Sequence, residues 1–146
     1  MWAPRLLKAQ TGVTKLTDKL AVIDAGGANV TAFITGEGLV VVDSGAPDTG
    51  DQVMAALKSL APNAKVTTLF NTHYHLDQTA NNEAFAMQGA KIISQKRTRE
   101  WLSRTYWNPA VEEYVRARPK AAWPTETFVD KGTLKIAGED IDYGSC

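Results

Sequence analysis

Asn71-Thr72-His73-Tyr74-His75-Leu76-Asp77-Gln78-Thr79 contains both histidines of the chain and follows directly on the apolar run Val66 to Asn71. The run predicts a strand, and the spacing from Thr79 or Asn81 to Gln88 predicts a helix stopped by Gly89, which makes this stretch a strand-to-helix connection. In extended backbone, residues two apart project to the same side. His73, His75 and Asp77 are therefore expected to converge, while Tyr74 and Leu76 turn away into packing. Two neutral imidazoles and a carboxylate suit Zn²⁺, and Fe or Mn with different geometric demands. A strand end beside a helix start is also where open α/β sheets place ligands. The competing reading is a turn whose histidines are solvated or merely hydrogen-bonded.

Upstream, Val13 to Leu16, Leu20 to Asp24, Val30 to Thr35 and Leu39 to Asp43 read as short strands separated by Asp18, Gly26-Gly27 and Gly36-Glu37-Gly38, the pattern of a β-meander. Leu39-Val-Val-Val-Asp43 is apolar throughout rather than alternating, so it belongs mid-sheet with both faces covered. A helix from about Thr49 to Leu60 buries Val53, Ala56, Leu57 and Leu60 on one stripe, with Asp48 or Thr49 to cap it and Pro62 beyond it. Downstream, Lys91 to Ser94 predicts a strand and Gln95 to Arg104 a helix. The alternation implies a parallel sheet continuing the antiparallel meander, an α/β fold of mixed sheet. Pro109 to Ala117 is expected to be a further helix, Arg118 to Pro124 a loop, and Phe128 to Tyr143 a hairpin turning at Ala137-Gly138.

The 146 residues carry 16 Lys+Arg against 16 Asp+Glu, with 44% hydrophobic residues and one cysteine. This is the composition of an ordinary globular domain and excludes collagen-like, disordered and disulfide-scaffold classes. Zero formal charge supplies no field to gather nucleic acid or anionic lipid, so neither partner is expected. The apolar runs are far shorter than the roughly 18 to 20 residues that cross a bilayer, and Met1 to Gln10 lacks the apolar stretch of a signal peptide. The cytoplasm is the default expectation, with the compartment left open.

These segments resemble the metallo-β-lactamase superfamily, whose motif is H-x-H-x-D-H at such a strand end. Gly26-Gly27-Ala28-Asn29-Val30 followed by Gly38-Leu-Val-Val-Val-Asp43-Ser-Gly45 is similar to the family's opening strands. Gly89-Ala-Lys-Ile-Ile-Ser94, the helix after it, and Pro124-Thr-Glu-Thr-Phe128 with the terminal hairpin match family segments in the same order. The resemblance covers roughly Val13 to Tyr143 and implies half of an αβ/βα sandwich, a mixed sheet with helices on one face. It implies that His73 and His75 bind one metal, that Asp77 binds a second and orients the attacking water, and that Asp43 stands behind them as an orienting residue. A strand-terminal turn former is the alternative for Asp43.

Two departures shape the expectation. Gln78 stands where the motif has a histidine, and an amide oxygen is a weaker zinc ligand than imidazole, so one ion is expected rather than two and Gln78 is placed beside the site. The chain also reaches Cys146 about where the family's second half and third histidine begin. Residues 1–12 are read as an N-terminal extension and 13–146 as the family domain, truncated before its second half. Phe33, Val40, Val42 and Leu69 would then form an uncovered apolar surface, which predicts a homodimer or a complementary chain. The expected function is a metal-dependent hydrolase of ester, thioester, amide or phosphoester bonds on a small-molecule substrate, weakly active or inactive alone. The alternative is a non-catalytic dimerisation or binding domain that retains the motif.

Of the remaining features, Lys96-Arg97-Thr98-Arg99 reads as a solvated helix face rather than a nucleic-acid surface. Trp101, Leu102, Tyr106 and Trp107 line either the rim of a cleft or the core. Glu112, Glu113 and Arg116 have spacings suited to an exposed, ion-paired helix face.

Overall fold

The structure is a computed structural model that describes residues 12–146. The extension assigned to residues 1–12 lies, Gly12 aside, outside the described residues. Strands β1 (Val13–Lys15), β2 (Leu20–Asp24), β3 (Asn29–Thr35) and β4 (Gly38–Val42) form the antiparallel meander. Then come α1 (Gly50–Leu60), β5 (Val66–Asn71), the single turn α2 (Leu76–Thr79), α3 (Asn82–Met87), β6 (Lys91–Gln95) and α4 (Lys96–Leu102). Two short strands, β7 (Tyr106–Asn108) and β8 (Glu113–Val115), and a 3-10 turn at Lys120–Ala122 lead to β9 (Glu126–Phe128). The hairpin β10 (Lys131–Ile136) and β11 (Glu139–Gly144) ends the chain.

The main sheet has the order β1-β2-β3-β4-β5-β6-β9, with β4, β5, β6 and β9 running parallel. The apolar strand β4 lies at its centre, as its unbroken hydrophobicity predicts. Period-two alternation divides its side chains. Leu39 and Val41 face a core made with Val53 and Leu57 of α1, Phe85 of α3, and Leu69 and Ile92 of the adjoining strands. Val40 joins Phe70 and Ile93 on the opposite face. Each of the larger of these side chains contributes about 1.5–3 kcal/mol by leaving water.

That opposite face corrects the expectation of an uncovered surface. The terminal hairpin folds back over it, so that Leu134, Ile136, Ile141 and Tyr143 pack against Phe33, Val40, Val42, Phe70 and Ile93. The hairpin tip is tied down where the Ala137 N–H donates to the Glu37 carboxylate at 2.8 Å. Leu69 does not belong to this face at all; it is buried beneath the helices, and its neighbour Phe70 takes the place assigned to it. Not all of the face is filled. A groove of about 520 Å³ remains between the ends of the strands and the chain terminus, with Val42, Phe70, Phe128 and Tyr143 in its wall and Cys146 at its margin.

Residues 109–117 also depart from expectation, forming no helix. Tyr106–Asn108 pairs antiparallel with Glu113–Val115, and the intervening turn passes through Glu112 at φ 52°. Tyr106, Trp107, Tyr114 and Val115 favour extended backbone, and Trp107 meets Tyr114 across the pair with ring centroids 5.1 Å apart. The helical ion-paired face of Glu112, Glu113 and Arg116 therefore does not form. Thr49 occupies the N-cap of α1, but its hydroxyl donates to Ala46 O at 2.7 Å instead of capping. No described helix is long and apolar enough to cross a membrane.

Candidate metal centre

The site lies at the C-terminal end of β5, where the chain leaves the sheet beside β4. β5 ends at Asn71, the chain bends at Thr72 and His73, and after His75 (φ −57°, ψ 144°) it winds into α2, so Asp77 sits in a first helical turn rather than on a continued strand. Strict alternation fails there, yet the three side chains converge. One ligand atom each from His73, His75 and Asp77 lies within 4.8 Å of the others. Around a tetrahedral zinc, two nitrogen or oxygen ligands of one ion lie about 3.3–3.5 Å apart. The widest pair thus needs to close by up to about 1.5 Å, which rotation of these part-exposed side chains supplies, and the donor set fits a divalent cation. The imidazole rings meet edge to face with centroids 4.7 Å apart. His75 and Asp77 are exposed and His73 is half-buried, which leaves the group open to solvent. Cys146 is exposed and stands outside this group.

Asp43 forms the turn that ends β4 and is tied to Thr72, the residue before His73. It ends β4 at φ 62°, a left-handed conformation rare for a non-glycine residue, with its side chain buried. Its carboxylate accepts the Thr72 N–H at 2.8 Å and the Thr72 hydroxyl at 2.8 Å. The same hydroxyl lies 2.9 Å from His73 Nδ1. A hydroxyl has one proton. Because Thr72 gives its proton to Asp43, its oxygen accepts from Nδ1–H of His73, and this tautomer leaves Nε2 as the free lone pair. Metal-binding imidazoles are commonly oriented in this way. Burial pushes the Asp43 carboxyl above its ordinary value; the two Thr72 hydrogen bonds and nearby His73 pull it down, and Asp77 adds to the rise. Thr72 lacked any signal in the sequence, since its partner is 29 positions away.

A buried polar hub sets the height of the ligand loop over the sheet. Asn82 exchanges hydrogen bonds with Asn71 at 2.8 and 3.1 Å, accepts the Ser44 hydroxyl at 2.9 Å, and donates to Ala122 O at 2.9 Å. Asn81 Nδ2 reaches Ser44 O at 2.7 Å and Ala46 O at 3.1 Å. Gln78 contributes through its backbone, its carbonyl accepting the Ser44 N–H at 2.7 Å. Gly45 lets the β4 loop pass: at φ +88°, an added Cβ would lie 2.7 Å from Ala25 Cβ. Of the two residues expected to turn away, Tyr74 does pack, stacking on Trp101 at 5.1 Å. Leu76 instead remains 48% exposed.

A mixed sheet layered with helices on one face, ending in two histidines and an aspartate beside a strand-to-helix loop, is the arrangement of a metal-site domain. The family model of the metallo-beta-lactamase superfamily matches residues 17–141, and the chain belongs to that superfamily. Among solved structures it is similar to a metallo-beta-lactamase from Pontibacter korlensis, with TM-score 0.68 and 22% identity over 91% of this chain and 59% of that one. It is also similar to the Cronobacter sakazakii metallo-beta-lactamase with the HARLDQ motif, with TM-score 0.71 and 16% identity over 86% and 51%. The native FEZ-1 metallo-beta-lactamase from Legionella gormanii matches with TM-score 0.67 and 16% identity over 88% and 50%. At these identities the likeness is one of fold, and the chain spans roughly half the length of the solved chains it matches. No curated protein matches the sequence.

Proposed function

We propose that this chain provides the metal-binding half of a metal-dependent hydrolase acting on an ester, thioester, amide or phosphoester bond, with little activity on its own. The supporting observation is the convergence of His73, His75 and Asp77 at the end of β5, with the Thr72 hydroxyl bridging the Asp43 carboxylate and His73 Nδ1. His73 and His75 would hold the ion, with zinc favoured by the donor set and iron or manganese as alternatives. When bound, a divalent cation lowers the pKa of water and polarises the bond to be broken. Asp77 is the catalytic residue in this reading: its exposed carboxylate accepts a hydrogen bond from the attacking water and orients it. One ion is favoured over two because Gln78 replaces an imidazole. The Cronobacter motif HARLDQ also ends in Leu-Asp-Gln, as does His73-Tyr-His-Leu-Asp-Gln78, so Gln at this position is compatible with the family name.

Metal analysis of protein purified without chelators tests this reading, with His73→Ala and His75→Ala as controls. About one equivalent of zinc, iron or manganese, lost in both variants, is expected. No bound metal would favour the alternative, a binding or dimerisation domain that keeps the motif.

A further inference from the structure

A second concavity, of about 540 Å³, opens between the ligand loop and the β7–β8 hairpin, and His75 and Asp77 form part of its wall. Its size falls in the range of small-molecule sites. One flank is aromatic. Tyr74 stacks on Trp101 at 5.1 Å, and Tyr106 meets the Trp101 ring edge to face at 4.7 Å. The Arg104 guanidinium lies 3.9 Å from the Trp101 ring centroid, so Trp101 is held by three partners. The rest of the lining includes two arginines, Arg116 and Arg118. Arg118 is committed to the fold, donating to Ala80 O at 3.1 Å and pairing with Glu83 at 3.3 Å. Arg116 is exposed and has no ion-pair partner among the described residues.

We propose that this concavity is the substrate pocket of the metal site, and that Arg116 makes it select a substrate with an apolar or aromatic body and a carboxylate. The inference rests on the hydrolase reading above and names its substrate class. A planar guanidinium binds a carboxylate through two parallel hydrogen bonds. With the carboxylate at Arg116 and the body along Tyr106 and Trp101, the remainder of the molecule faces His75 and Asp77. Selection of the acid over its neutral amide follows from charge: Arg116, exposed and without an ion-pair partner among the described residues, attracts a carboxylate and gains nothing from the amide.

The test uses 3-phenylpropanoate and its neutral amide as probes of the zinc-supplemented full chain, followed through the Trp101 indole N–H resonance, which is assigned from a Trp101→Phe spectrum. The acid is expected to shift this resonance and to bind at least about tenfold more tightly than the amide, with Arg116→Gln removing that advantage. Arg97→Gln, an equal charge change on α4 away from the concavity, should leave acid binding unaltered. Equal binding of acid and amide, an Arg116→Gln variant that binds the acid as the parent does, or an unmoved Trp101 signal would overturn the proposal. Repeating the titration in His73→Ala separates the two readings. Acid binding that persists there and depends on Arg116 keeps the pocket even if metal analysis fails. Binding lost there and indifferent to Arg116 places the carboxylate on the ion and ends the proposal.

Discussion

Replacing Thr72 by valine keeps the volume and β-branching of the side chain and deletes only the hydroxyl between Asp43 and His73. That oxygen donates to Asp43 at 2.8 Å and lies 2.9 Å from His73 Nδ1, so both hydrogen bonds go at once. Asp43 keeps the Thr72 N–H at 2.8 Å and the contact with His73 is exposed, so the loss of stability is mainly that of one partly buried hydrogen bond on a charged acceptor, about 1.5–3 kcal/mol. The second consequence is for metal binding. With Nδ1 released, the His73 ring is free to rotate and to shift its proton to Nε2, and loss of such an orienting partner costs roughly 10- to 100-fold in affinity, about 1.4–2.8 kcal/mol. Competition with a chromophoric zinc chelator reads the affinity, and urea unfolding of the zinc-free protein reads the stability. Thr72→Ser, which retains the oxygen, should recover most of the zinc affinity. An affinity equal to the parent's in Thr72→Val, with stability reduced as expected, would refute the relay, because the hydroxyl would then be a structural group with no hold on the imidazole.

Gly45→Ala places a methyl group 2.7 Å from Ala25 Cβ in a left-handed conformation; a loss of more than about 2 kcal/mol in thermal or urea unfolding is expected, with weakened zinc binding because the β4 loop supports the ligand loop. Asp43 titrates above its ordinary value because burial favours the neutral form, so its contribution to stability is greatest in acid and is lost as pH rises through the raised value. Asp43→Asn in zinc-free protein should therefore cost more stability at pH 3 than at pH 7, measured by urea unfolding at each pH; an equal cost at both would contradict the burial argument. We also propose that the groove lined by Val42, Phe70, Phe128 and Tyr143 is covered by a second copy of the chain, so light scattering at high concentration should give twice the chain mass, and a stable monomer would end that reading.

Much of the fold is written locally. Alternation in the meander, the unbroken apolar run at Leu39 to Val42 and the helical stripe Val53, Ala56 and Leu57 report which faces are buried, since a strand or helix repeats its contacts at a fixed period. The two histidines and Asp77 are legible because they are close in the chain and thus close in space, even though the strand ends at Asn71 and Asp77 lies in α2. Where local signals compete, the sequence misleads. Pro109 to Ala117 has helical spacings, but the cross-strand contact of Trp107 with Tyr114 exists only once both arms are paired.

Tertiary structure alone decided how the terminal hairpin covers the sheet, where Leu69 and Phe70 face, and what holds His73. Asp43 and Thr72 are 29 positions apart, and Asn71, Asn82 and Ser44 meet only when β4 and β5 lie parallel with their ends level. Arg116 reaches the concavity beside His75 through the β7–β8 turn that the local pattern did not foretell. A sequence records which chemical groups are available and how each segment prefers to bend. Which distant groups share a proton or a wall depends on strand register, a property of the whole sheet carried by no single segment.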